Sequence, residues 1–365
     1  MRTRGQTAFV AAAACLLGTS ANADYRWTGG ATAIFQASDN NSVDREKTLS
    51  VDLVFESTTE HGQWLFYAEG STTPDRNGIS SLYPTANADA GSVLNRDGDG
   101  GLQVSEFNYT FFLADEKTLS VGLIDPSAWL DLGRIATDEN KEFLNGSFSH
   151  NATIEFPDYT LGGVFNWNGW DHGPDIAVVV SGSDGIANMP DRSYQELLNI
   201  GSDGRGVFVG AQAGWSHNQL ALRFGGWWRS DEHDVLGANR TTDGNYGSYL
   251  VIGWRKQANA LNFRFGVASK DVSVANQFAA FAFERQLRHG LFGIGIAHTS
   301  VSDTFQQRNL ADVWDAEIFY RFSFVNDRLQ LTPSIQHVEN PGFDGTGAGV
   351  PSAVTVASLR FHVSF

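Results

Sequence analysis

The chain has 365 residues, with 25 Lys+Arg against 41 Asp+Glu and a formal net charge of −16. That acidic balance argues against nucleic acid as a partner. One cysteine, Cys15, leaves no disulfide framework, while 39 Gly, 26 Phe, 10 Trp and 9 Tyr beside 2 Met suit a large antiparallel β-structure.

In chain order, Arg2 and Arg4 precede an apolar run from Ala8 to Gly18, and Ala21-Asn22-Ala23 follows as an A-x-A cleavage site. Residues 1–23 therefore read as a cleaved export signal and 24–365 as a single domain. Cys15 lies inside the apolar run, before Leu16 and Leu17, which disfavours a lipoprotein reading. No stretch approaches the ~20 apolar residues that a transmembrane helix needs.

Beyond the signal, apolar and polar residues alternate, as in TLSVDLVFE (48–56), LNFRFGVAS (261–269), DAEIFYRFSF (315–324) and TVASLRFHVSF (355–365). One face is apolar, the other polar. Short polar breaks at 59–62, 114–117, 216–219, 257–260, 288–290 and 325–328 alternate with longer ones, notably 74–102, 126–150 and 184–204. The pattern predicts sixteen strands, near 25–37, 46–58, 63–73, 103–113, 117–125, 158–167, 175–183, 206–216, 219–230, 245–256, 261–270, 277–287, 291–300, 313–324, 328–338 and 353–365. Segment 145–175 leaves fourteen or eighteen open. The fold expected is an all-β transmembrane antiparallel barrel with short periplasmic turns and long extracellular loops. A terminal aromatic, Phe365, on the same face as Leu359, Phe361 and Val363 strengthens that reading over a secreted sandwich.

Residues 95–106, NRDGDGGLQVSE, match the twelve-residue calcium loop with Asn in the first place, yet the β-prone FNYTFFL follows instead of a helix. Asn95, Asp97, Asp99, Glu106 and the Gly101 carbonyl, with Gly100 making the turn, would hold a structural Ca2+ at the mouth of a pore. The alternative is an Asx-rich turn with Glu106 in the lumen. No cofactor is otherwise required.

Two stretches, GLIDPSAWLDLGRIATDENKEFLNGSF (122–148) and LQLTPSIQHVENPGFD (329–344), resemble the carbohydrate-selective porin family of the OprB type found in Gram-negative outer membranes. Gly122, Asp125, Asp131, Glu139, Phe143, Leu144, Asn145, Pro333, Gln336, Asn340 and Pro341 carry the resemblance, whereas Ser334 and Leu132-Gly133 depart from it. The resemblance implies a sixteen-stranded, trimeric sugar channel integral to the outer membrane, with small sugars or other polar solutes, membrane lipid and its own copies as partners. It implies no enzyme. A general cation-leaning porin is the alternative, followed by an outer-membrane hydrolase or an adhesin barrel.

If aliphatic positions face lipid, strand parity turns Asp52, Glu56, Tyr67, Glu69 and Glu106 into the lumen from early strands and Arg223, Arg229, Arg264, Arg321 and Arg360 from late ones. That ordering would set a transverse field suited to a dipolar, hydroxyl-rich solute, with arginines donating to hydroxyls and carboxylates accepting from them. Segment 126–150 would fold inward, offering Trp129, Asp131, Arg134, Glu139 and Glu142 to the solute, although an interfacial or loop-packing residue is the plainer reading of Trp129. Trp27, Trp64 and Trp228 are expected in the lipid-facing girdles.

Overall fold

The computed structural model describes residues 24–114, 116–168, 175–187, 193–200, 205–304, 311–340 and 353–365; the expected signal, 1–23, lies outside the described residues. Sixteen strands follow one another: β1 Asp24–Ser38, β2 Glu46–Thr58, β3 Gly62–Ser71, β4 Leu102–Phe112, β5 Lys117–Ile124, β6 Thr160–Trp167, β7 Asp175–Gly182 and β8 Val207–His217. The second half comprises β9 Leu220–Asp234, β10 Thr241–Lys256, β11 Asn259–Ala268, β12 Ala275–Leu287, β13 Gly290–Val301, β14 Val313–Phe324, β15 Leu329–Glu339 and β16 Ala353–Ser364. Each pairs antiparallel with its sequence neighbours, and β1 pairs with β16 to close the barrel. Closure leaves no free sheet edge.

The closing seam runs from Gly30 opposite Ser364 to Ser38 opposite Val356. Beyond it, Gly29 and Phe365 exchange both backbone hydrogen bonds, at 3.0 and 3.1 Å, and the Phe365 ring occupies the space that a Cβ on Gly29 would need. At one end of the barrel the strands are joined by tight turns. Glu116, Asn218, Gln257, Asn326 and Asp327 adopt positive φ there, the conformation such reversals demand.

Alternation places an apolar surface outside. Leu49, Val51 and Leu53 on β2, Ile294 and Ile296 on β13, and Leu359, Phe361 and Val363 on β16 are all exposed. Aromatic side chains gather near the ends: Trp27 lies 4.6 Å from Phe55 with the rings tilted, Trp64 stacks on Phe107 at 5.3 Å, and Trp228 is exposed. This is the exterior of a lipid-embedded barrel.

Two expectations need correction. Strands β9 and β10 run further than the sequence pattern suggests, because the polar stretch 231–244 continues the ladder past a bulge between Asp243 and Asn245. The interior is also not polar throughout. Inward residues of β6 to β16 include Val164, Val179, Phe208, Phe278, Phe319 and Val356, and they form three apolar beds for loops folded into the lumen.

Loop 3, residues 125–159, supplies Leu130 and Ile154 to one bed and Ile135, Phe143 and Phe148 to the next. Loop 2, residues 72–101, supplies Ile79, Tyr83 and Ala86 to the third. Glycine is required within β5, where the β4 backbone approaches closely shortly before loop 3 begins. Gly122 has φ +148°, and a Cβ there would lie 2.3 Å from the Phe107 carbonyl oxygen and 2.7 Å from Asn108 Cα. Gly122→Ala is expected to destabilise the barrel by about 1–3 kcal/mol through backbone strain and overpacking, read as a lowered urea midpoint in detergent.

Candidate functional site

The site begins where loop 3 leaves β5. The Asp125 carboxylate accepts from the Ser127 amide and hydroxyl, both at 2.8 Å, which turns the chain inward. Glu106 on β4 accepts from the Asp125 amide at 3.3 Å. Further along, Asp131 and Ala136 sit at φ +59°, held by the surrounding contacts.

Late-strand arginines hold the loop. Arg223 donates to the Leu132 carbonyl at 2.9 Å, Arg264 to the carbonyls of Ala136 at 2.8 Å and Asp131 at 3.2 Å, and also to that of Phe148. Arg321 donates to Lys141 O at 2.5 Å, and Arg360 to Glu142 O at 2.6 Å and to Glu139 O. Acids on the same wall take the opposite groups. Glu317 accepts from the amides of Leu144 and Asn145 at 3.2 and 2.8 Å, and Asp315 accepts from the Asn145 side chain at 2.9 Å. Gln336 bridges the two loops, accepting from Asn145 at 3.3 Å and donating to Ala86 O at 3.0 Å.

The arginines thus point inward as parity requires, but they are not free donors. Arg264 and Arg360 are 1% and 2% exposed, covered by the backbone they grip. Arg229 lies apart, paired with Asp231 at 2.7 Å, Asp184 at 3.4 Å and Glu155 at 3.8 Å. A field spanning open water between arginines and acids is therefore corrected: the acids border the open space, and of these arginines only Arg264 lines it, with its head taken up by loop 3.

Open space of 420 Å³ remains beside the early strands, lined by Asp52, Tyr67 and Glu69 from the wall, by Asp89 from loop 2, and by Asp125, Asp131 and Glu139 from loop 3. Tyr67 donates to Asp52 at 2.7 Å, with Glu69 at 3.1 Å, and Ser105 donates to Glu69 at 2.5 Å. A bulge between Tyr67 and Ala68 in the β3–β4 ladder lets both Ser105 and Glu106 face inward. Tyr159, at φ +59°, brings its ring 6.3 Å from that of Tyr67.

Other expected residues are placed elsewhere. Trp129 packs against the apolar bed around Ile124 and Phe208 and does not line the open space, which fits the packing alternative. Arg134 extends over Gly253 towards the Leu220 carbonyl, 3.5 Å away. Glu142 accepts from the Thr137 amide at 2.8 Å within its own loop, and Glu56 accepts from Gln63 at 2.8 Å near the short-turn end. Asp89 and Tyr159 were missed. Apolar spacing at Ile79, Leu82, Tyr83 and Ala86 could have shown that loop 2 folds onto a surface, carrying Asp89 with it.

The residues of the expected calcium loop form a turn ahead of β4. The Asn95 side chain accepts from the amides of Asp97 and Asp99, each at 2.9 Å, and the Gly101 carbonyl accepts from Ser71 N at 3.1 Å. Glu106 is in the lumen. Among the described residues no group of three or more His, Cys, Asp or Glu is gathered so as to hold a metal ion. Segment 95–101 is an Asx-supported turn.

No family model matches the sequence, and no curated protein matches it. The fold is similar to that of Pseudomonas putida OprB in its high-pH structure, with a TM-score of 0.72 and 14% identity over 94% of each chain. An engineered Rh. blastica porin follows at a TM-score of 0.55 and 12% identity, covering 94% of this chain and 100% of that one. The low-pH structure of P. putida OprB gives 0.54 and 12%, over 100% of this chain and 98% of the other. The chain has the closed-barrel fold of porins. Within that class, its likeness reaches a protein of the OprB kind.

Two expectations follow. Arg264→Met should cost about 3–5 kcal/mol, because the Asp131 carboxylate and three carbonyls lose their donor; urea titration would show it, with noisier and larger single-channel currents as loop 3 loosens. Burial pushes the Asp89 carboxyl up from 3.8 to about 7. The folded protein then keeps a proton that the unfolded chain releases, so stability falls as pH rises between those values. Asp89→Asn should flatten that slope and raise the urea midpoint at neutral pH.

Proposed function

We propose that the protein is a Gram-negative outer-membrane porin that passes small polar solutes, with saccharides as the preferred class. The carrying observation is the open, hydroxyl- and carboxylate-lined space left inside the barrel once loops 2 and 3 are seated. Carboxylates accept from sugar hydroxyls, and the Tyr67 and Tyr159 rings offer faces against which pyranose C–H groups pack. The polypeptide supplies a passage and no reaction. Selectivity lies in width and lining.

The similarity to P. putida OprB and the two motif stretches support the saccharide preference. Assembly as a homotrimer rests on the same resemblance. A general cation-leaning porin is the second reading, favoured by the acids around the open space and by the covered arginines.

In planar bilayers the protein should form open channels whose current falls in a saturable way as mono- and oligosaccharides are added. Strong cation selectivity without block by any sugar would establish the general porin instead.

A further inference from the structure

Where loop 3 returns to the barrel wall, a histidine stands between two groups that can only accept. His233 on β9 brings Nδ1 to 2.9 Å from the Asp231 backbone carbonyl oxygen and Nε2 to 3.0 Å from Oε2 of Glu155 on loop 3. A carbonyl and a carboxylate offer no proton, and a neutral imidazole has a single N–H. Both contacts are therefore hydrogen bonds only when the pair holds a second proton. Imidazole is a stronger base than a carboxylate, so that proton resides on the ring. Without it, a ring nitrogen and an oxygen face each other lone pair to lone pair.

The surroundings favour the charged ring. Arg229 serves Asp231 at 2.7 Å, Asp184 just after β7 at 3.4 Å and Glu155 at 3.8 Å, and the Asp231 carboxylate also lies 3.9 Å from His233 Nε2. One guanidinium thus faces three carboxylates, an imbalance that a second cation reduces. From β10, Asn245 donates to Glu155 Oε1 and to the Ser273 hydroxyl, both at 2.7 Å. Glu232 and Asp234, next to His233 in sequence, are exposed. Trp228 and Tyr246 pair across β9 and β10 with exposed rings, and His233 lies beyond them towards the extracellular mouth.

The segment that follows Glu155 is Phe156-Pro157-Asp158-Tyr159. Pro157 fixes its own φ and restricts Phe156, whose ring packs 5.9 Å from that of Phe208. A shift of Glu155 is therefore carried along a stiff segment to Asp158 and Tyr159, which both line the open space. Resting on the channel reading above, we propose that His233 is a positioning residue, a proton-dependent clasp on the outgoing end of loop 3 that is closed while the ring holds its second proton and loosened when that proton leaves. Solute binding beside Tyr159 weakens with it. Arg229 and Asn245 keep Glu155 near the wall in both states, so the change is graded.

The test uses the full protein, in detergent and in planar bilayers. Imidazole nitrogen chemical shifts, with the His233 signal assigned by its loss in His233→Gln, should show both ring nitrogens protonated at neutral pH and a midpoint above the ordinary value of about 6.5. A midpoint at or below that value would overturn the clasp. In bilayers, the sugar concentration giving half-block should rise about fivefold between about pH 6 and about pH 9, the effect of losing one hydrogen bond. His233→Gln and Glu155→Gln should each remove most of that rise. Asp89→Asn and Glu139→Gln, at acids that line the open space, should shift the concentration itself and keep its pH dependence. A rise that survives both substitutions at the clasp, or that disappears with Asp89→Asn or Glu139→Gln, would assign it to the passage acids and overturn the proposal. Current that no sugar affects at any pH would overturn the saccharide reading instead, and the ring titration would then decide the clasp.

Discussion

The contact between guanidinium groups on the late strands and backbone carbonyls of loop 3 organises the interior of this barrel. Arg223, Arg264, Arg321 and Arg360 each reach a carbonyl of the loop, and Glu317 and Asp315 take its amides and the Asn145 side chain. A loop folded into a barrel brings peptide groups away from bulk water, and each needs a partner. Arginine suits the task because its rigid fork serves several acceptors while remaining charged. Apolar contacts under Phe143 and Phe148 complete the seat, with Phe143 edge-on to Phe319 at 5.0 Å.

Seating the loop on one side determines where the water lies. The passage is displaced towards β2 and β3, and its character follows from the acids and tyrosine there, not from the average composition of the lumen. A charge census over all inward positions would therefore mislead. Arginines that would count as solute contacts by parity belong to the structural scaffold, while Asp89, on a long loop, joins the lining.

The strand plan was legible because a barrel in lipid imposes a strict period of two and short returns at one end. Sixteen strands emerge close to their sequence-derived positions, and the 145–175 region, ambiguous by pattern, resolves into the end of loop 3 with β6 and the start of β7. Side-chain parity was equally legible at Asp52, Glu69 and Arg264. The covering of an inward residue by a distant loop was hidden, since it depends on contacts over a hundred residues away, as between Arg264 and Asp131. The resemblance in 122–148 and 329–344 marked Asn145 and Gln336 without revealing that they meet. NRDGDGG left two readings open for a local reason: a turn that satisfies its amides with Asn95 uses the same residue types as a cation loop.

A second consequence concerns how the inner wall can diverge. Where loops rest on it, around Phe278, Phe319 and Val356, an inward side chain belongs to a packed core and answers to volume and hydrophobicity. Along β2 and β3 an inward side chain borders the passage and answers to charge and hydrogen bonding. One barrel therefore sets two kinds of demand around its circumference, filled volume along the arc where loops rest and matched polar groups along the arc that borders open space.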